Sequence, residues 1–77
     1  MSHRTSTIGA RILNALHDKL EQPEEACRIV RASIRKVGED SPELAETVLD
    51  DLHLQLPYPT YACTLVRCEA GLLAKAA

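Results

Sequence analysis

A chain of 77 residues is at most one domain, and a net charge of −2 sets up no overall field that would draw it to nucleic acid or to an acidic membrane. A hydrophobic content of 45% is ordinary for a globular chain and too high for a disordered one. With no Phe, no Trp and 2 Tyr, the core has to be assembled from Leu, Ile, Val and Ala.

The first helix is expected from about Thr7 to Leu20, capped by Ser6 or Thr7, with residues 1–6 as a flexible N-terminal segment. Ile8, Ile12, Ala15, Leu16 and Leu20 recur at helical spacing, and Lys19 ends the same stripe with its stem on the core and its amine in water. Gln22-Pro23-Glu24-Glu25 reads as the next helix start, because proline suits the first helical position and acids suit the positive end of the dipole. That helix runs to Val37 with Ala26, Val30, Ile34 and Val37 inward, and Gly38 is expected as a left-handed C-cap.

Asp40-Ser41-Pro42-Glu43 is a second start of the same kind, with Ser41 as cap and Pro42 at the first position. The third helix carries Leu44, Ala45, Val48, Leu49 and Leu52 on one side. Leu52-His53-Leu54-Gln55-Leu56 alternates like a strand, and is read as helix fraying into a linker, with intermolecular strand pairing as the alternative. Pro57-Tyr58-Pro59 forces an extended break. The fourth helix is expected from Pro59 or Thr60 toward Lys75. Its main stripe is Tyr61, Leu65, Cys68 and Leu72, flanked by Val66 and Leu73, and Cys63, Ala70 and Ala74 form a second, small-residue face. A helix apolar on two sides is normally covered on two sides, which suggests a subunit partner. The pattern shows neither internal repeats nor low-complexity tracts.

A core this small is marginal, since ordering costs about 1.5 kcal/mol per residue and apolar burial roughly cancels it. The 3 cysteines, an odd number, argue against a closed disulfide framework. No signal peptide is read near the N-terminus, and no segment approaches the roughly 20 apolar residues of a membrane span, so a cytoplasmic location is expected. Cys63 and Cys68 point about 140° apart on a helix and cannot share one metal ion without breaking it, so all three thiols are expected as buried packing groups. His53 shares a face with Glu46 and Asp50. That trio is read as an exposed histidine beside surface acids, with a divalent-metal or pH-sensitive patch as the sharper alternative. His17 is a boundary residue and His3 falls in the N-terminal segment. No nucleophile sits in a signature context and the 3 glycines are scattered, so neither an enzyme nor a cofactor is expected.

Charge patterning is more informative. Arg28, Arg31 and Arg35 form a basic stripe opposite the apolar face of the second helix. Glu43, Glu46 and Asp50 form an acidic stripe on the third. The plain reading is two solvated faces, and the sharper one is charge-complementary docking onto a partner. A helix-turn-helix is disfavoured, because the helix in the recognition position, from Pro42 to Gln55, carries acids and no Lys or Arg. Residues 1–77 are therefore expected as one all-α domain, a compact bundle of about four short helices. It is expected to dimerise through the C-terminal helix at Tyr61, Cys63, Leu65, Val66, Glu69, Ala70, Leu72 and Leu73. Glu69 points into the middle of that apolar face, so it either pairs with a cation, Lys19 or an arginine of this chain or of the dimer mate, or is largely protonated, or lies at a wet interface rim; pairing is the favoured reading and the rim the next. The expected function is a non-enzymatic protein-binding regulator, an adaptor, inhibitor or anti-activator of the size of bacterial or phage regulators. The alternatives are a dimeric DNA-binding regulator using the arginine stripe and a structural subunit.

Overall fold

The computed structural model describes residues 7–71. These form α1 (Ile8–Lys19), α2 (Glu24–Val37), α3 (Leu44–Gln55) and α4 (Thr60–Glu69), with no strand among the described residues. No helix there is long and apolar enough to cross a membrane. The expectations placed on residues 1–6, Leu72, Leu73 and Ala74 lie outside the described residues.

Local chemistry sets most of the boundaries. The Thr7 hydroxyl accepts from the Ala10 N–H at 3.0 Å and donates to Glu39 Oε2 at 2.6 Å, so one side chain caps α1 and ties it to the α2–α3 turn. The Gly9 N–H reaches the Glu39 carbonyl at 3.1 Å. A Cβ at Gly9 would lie 2.8 Å from Ile34 Cδ1, which is why the smallest residue stands there. Acids in the first turn of α2 and Arg35 and Lys36 in its last turn complement its dipole. Gly38 has the expected positive φ of 99°, but its ψ of 150° is not that of a left-handed cap. The chain leaves the helix extended, through a region open essentially to glycine alone. The Ser41 hydroxyl accepts from Glu43 N–H, so the turn persists and α3 begins at Leu44, with Pro42 outside rather than at the first helical position.

Two expectations are corrected. Leu52–Gln55 is helical, not a frayed linker or strand: Leu52 is buried and Leu54 exposed because they lie on opposite sides of α3. Pro57 drives only Leu56 into the extended region. The last helix ends at Glu69 instead of running toward Lys75, because Gly71 takes a φ of 78°.

Each helix packs on the next, and α4 returns to α1. The enclosed core is aliphatic as expected: Ile12 and Leu16 from α1, Ile29 and Val30 from α2, Leu44, Val48 and Leu52 from α3, and Leu65 and Val66 from α4, with Cys27, Ala26, Ala62 and Cys63 among them. The α2 face is rotated from its expected position, so that Cys27, Ile29 and Ser33 are buried while Ile34 and Val37 are half-buried. In α4, Tyr61 and Cys68 face outward and Ala62 and Cys63 face inward, because small residues let α4 sit close between α1 and α3.

The absence of repeats read from the sequence is also overturned. An offset of 36 residues maps α1 onto α3 at both ends and the start of α2 onto the start of α4. The equivalent caps have nearly the same torsions: Leu20 (φ −91°, ψ 142°) and Leu56 (−97°, 138°), then Pro23 (−82°, −8°) and Pro59 (−84°, −5°). Identical residues at this offset are Leu13/Leu49, Leu16/Leu52, His17/His53, Leu20/Leu56, Pro23/Pro59, Ala26/Ala62, Cys27/Cys63, Val30/Val66 and Arg31/Arg67. Core positions keep their character, as in Ile12/Val48 and Ile29/Leu65. The molecule is therefore two like helical hairpins. Exchanging them maps the α2–α3 contact onto α4–α1 and leaves the packing pattern unchanged. That is the behaviour of an approximate two-fold rotation. A stacked solenoid would leave α1 and α4 apart.

Candidate partner-binding groove

The two hairpin turns lie side by side at one end of the bundle. Between them runs an open groove of about 400 Å³, lined by Leu20, Gln22, Glu25 and Ala26 from the first hairpin and Leu56, Pro57, Tyr58, Tyr61 and Ala62 from the second. Eight of these nine residues form four pairs at the 36-residue offset: Leu20/Leu56, Gln22/Tyr58, Glu25/Tyr61 and Ala26/Ala62. The groove therefore straddles the approximate two-fold axis. Its floor is alike on both sides and its two lips are chemically different. One lip is polar and acidic, the other aromatic.

Leu54, Tyr58 and Tyr61 are the large apolar side chains exposed among the described residues, at 82%, 90% and 54%. Their equivalents in the first hairpin are Asp18, Gln22 and Glu25, all exposed and all polar. Glu25 is the one charged residue lining the groove among the described residues. The Arg28 guanidinium donates to it and holds its carboxyl below the usual range, with both side chains more than half exposed. Glu21 and Glu24 are exposed beside it in the sequence.

A second cavity of about 410 Å³ follows the α1–α4 seam, lined by Arg11, Asn14, Ala15, Asp18, Lys19 and Glu69. Here Glu69 finds a cation within its own chain: Arg11 Nε lies 3.7 Å from Glu69 Oε1, and the Glu69 side chain is only partly exposed. The equivalent α2–α3 seam holds a polar cluster that the sequence reading missed. Asp51 is buried and accepts from the Ser33 hydroxyl at 2.6 Å and from Lys36 Nζ at 3.1 Å. The Ser33 bond, followed by Lys36, holds the Asp51 carboxyl below the usual carboxylate range, against the effect of burial. Asp51 was hidden because it lies between Asp50 of the acidic stripe and Leu52 of the apolar face and falls in neither spacing.

The charge stripes are on the surface where they were expected. Arg28, Arg31 and Arg35 are exposed on α2. Glu43, Glu46 and Asp50 are exposed on or just before α3, with no ion pair between the two sets among the described residues. The candidate interface on α4 is divided. Cys63, Leu65 and Val66 are buried in the core of the single chain and offer no free surface; Tyr61 is exposed, and Glu69 and Ala70 are half-buried. Cys27 and Cys63 are buried as expected, and burial pushes both thiols up; Cys68 is instead exposed. His53, Glu46 and Asp50 are all exposed, and among the described residues no group of three or more His, Cys, Asp or Glu could hold a metal ion.

Gln22, Glu25, Leu54 and Tyr58 read from sequence only as helix-start, linker or break residues, not as site residues. The signal that finds them is the 36-residue offset, which exposes where the halves differ. Comparison with known proteins gives no match to this chain among family models, curated proteins or solved structures.

Proposed function

We propose that this chain is a non-enzymatic protein-binding module that works by seating a short segment of a partner protein in the groove between its two hairpin turns. The observation that carries this reading is the chemical difference between the halves. Positions 18, 22 and 25 are polar, and the equivalent positions 54, 58 and 61 are Leu, Tyr and Tyr, at equivalent backbone places and exposed like them. The first hairpin folds with polar residues there, so folding does not demand apolar ones in the second. An aromatic side chain brings about 150–250 Å² of buriable surface, and exposed aromatics beside a concave floor are the composition of binding hot spots.

Arg31 and Arg35, with the acidic stripe of α3, then act as flanking complementarity that tunes encounter rather than as the anchor, while Arg28 is engaged by Glu25. The test compares a groove variant, Tyr58→Ala with Tyr61→Ala, with a stripe variant, Arg31→Glu with Arg35→Glu, in quantitative capture of partners from the native host. Both variants are surface changes and should keep the wild-type melting curve. The proposal expects the groove variant to lose the captured partner and the stripe variant to bind it more weakly. Undiminished capture by the groove variant contradicts it.

A further inference from the structure

Resting on the reading of the groove as a partner site, we infer that its occupant is a peptide segment presenting a lysine or arginine next to an aliphatic or aromatic residue. The apolar residue meets the floor, and the cation sits between the acidic lip at Glu25 and the aromatic lip at Tyr58 and Tyr61. Three features support this chemistry. Glu25 is the one charged group in the lining among the described residues, so a cation is complemented and an acid repelled. Tyrosine faces attract cations, with Arg and Lys worth about 0.5–1 kcal/mol at exposed sites. Leu20, Ala26, Leu56 and Ala62 form an apolar floor that accepts the stem of a long cationic side chain and its apolar neighbour.

Size argues against a second copy of this chain as the occupant. A stable dimer covers about 800 Å² on each partner, whereas a groove of about 400 Å³ holds a few side chains.

Arg28 gives the inference its sharpest consequence. It occupies Glu25 from the same helix, in a pair more than half exposed on both sides, so the incoming cation competes with a weak internal one. Removing Arg28 should therefore strengthen binding, both by freeing Glu25 and by taking a like charge away from the incoming cation.

The experiment selects random dodecapeptides displayed on phage against the full chain, then measures synthetic versions of the enriched peptides. The expected consensus is Lys or Arg beside Leu, Ile, Met, Phe or Tyr. Affinity should fall about threefold to fivefold with Glu25→Gln and with Tyr61→Ala, rise about twofold or more with Arg28→Ala, and weaken with added salt. Enriched peptides that lack a basic residue, yet lose binding to Tyr58→Ala with Tyr61→Ala, overturn the inferred chemistry and leave the groove reading standing. Peptides indifferent to every groove variant, or no enrichment, overturn both. Displacement of the peptides by the chain itself, with self-association in sedimentation, would make a second copy the occupant and overturn the inference.

Discussion

At the scale of single residues, the buried Asp51 shows how one polar group specifies a helix pair. Its carboxylate takes the Ser33 hydroxyl inside the α2–α3 seam and Lys36 at the edge. The Lys36 side chain is 57% exposed, so that arm contributes little, and the hydroxyl carries most of the interaction. Asp51→Asn should cost about 1–3 kcal/mol, because the buried Ser33 hydroxyl loses a charged acceptor. The same bond fixes the sign of the acid limb. The folded carboxyl titrates below its unfolded value of about 4, so its contribution is present above that pH and is lost as pH falls from there through the folded value. Melts from pH 6 down to pH 2 should show a drop in stability near the bottom of this range that is smaller in Asp51→Asn. Equal slopes would show that Asp51 is not the group responsible. Thiol chemistry separates the cysteines just as directly. Under native conditions Ellman's reagent should titrate Cys68 quickly, and Cys27 and Cys63 only on unfolding. Fast reaction of all three would mean that the α2–α4 core opens readily.

At the scale of elements, proline and glycine punctuation reads well from sequence and fine geometry does not. Pro23, Pro42 and Pro59 mark three helix starts to within two residues, because a missing N–H and a fixed φ act locally. Which face of α2 turns inward depends on what α1 and α3 supply, so Ile29 and Ser33 could not be placed from spacing alone. The end of α3 misled because alternation over five residues fits a strand as well as a helix end lying against solvent. Gly38 tests how much of the α2 exit is backbone. No atom lies within 4 Å of a Cβ built there, so a side chain adds strain without a clash. Gly38→Ala should cost about 1–3 kcal/mol. D-alanine at position 38, introduced by synthesis, should recover part of the loss, since its mirror-image preference favours a positive φ such as the 99° here. Equal stability of the two alanine epimers would refute a conformational role for this glycine.

At the scale of the whole molecule, two like hairpins face each other across an approximate two-fold axis, and the groove lies on that axis with a like floor and unlike lips. The repeat escaped the sequence reading because its nine identities are scattered singly or in adjacent pairs, and most lie at aliphatic or turn positions that any helical hairpin would share. The groove escaped it for the opposite reason. Glutamine opposite tyrosine and glutamate opposite tyrosine resemble each other only in position. Since exchange of the halves preserves the packing, a circular permutant that opens between residues 39 and 41 and joins residue 77 to residue 1 by a short Gly-Ser linker should fold. It should show wild-type helicity and an intact groove; a molten permutant would mean that the α4–α1 closure is not equivalent to α2–α3. The groove itself is best tested by photo-crosslinking in the native host, with p-benzoylphenylalanine replacing Tyr58 and, as a control, replacing Asp40, which is exposed in the α2–α3 turn and belongs to neither charge stripe nor the groove lining. Discrete cross-linked partner bands should come from position 58 and not from position 40. A blank at position 58 in folded, expressed protein, or the same bands from both positions, would contradict a partner site between the hairpin turns.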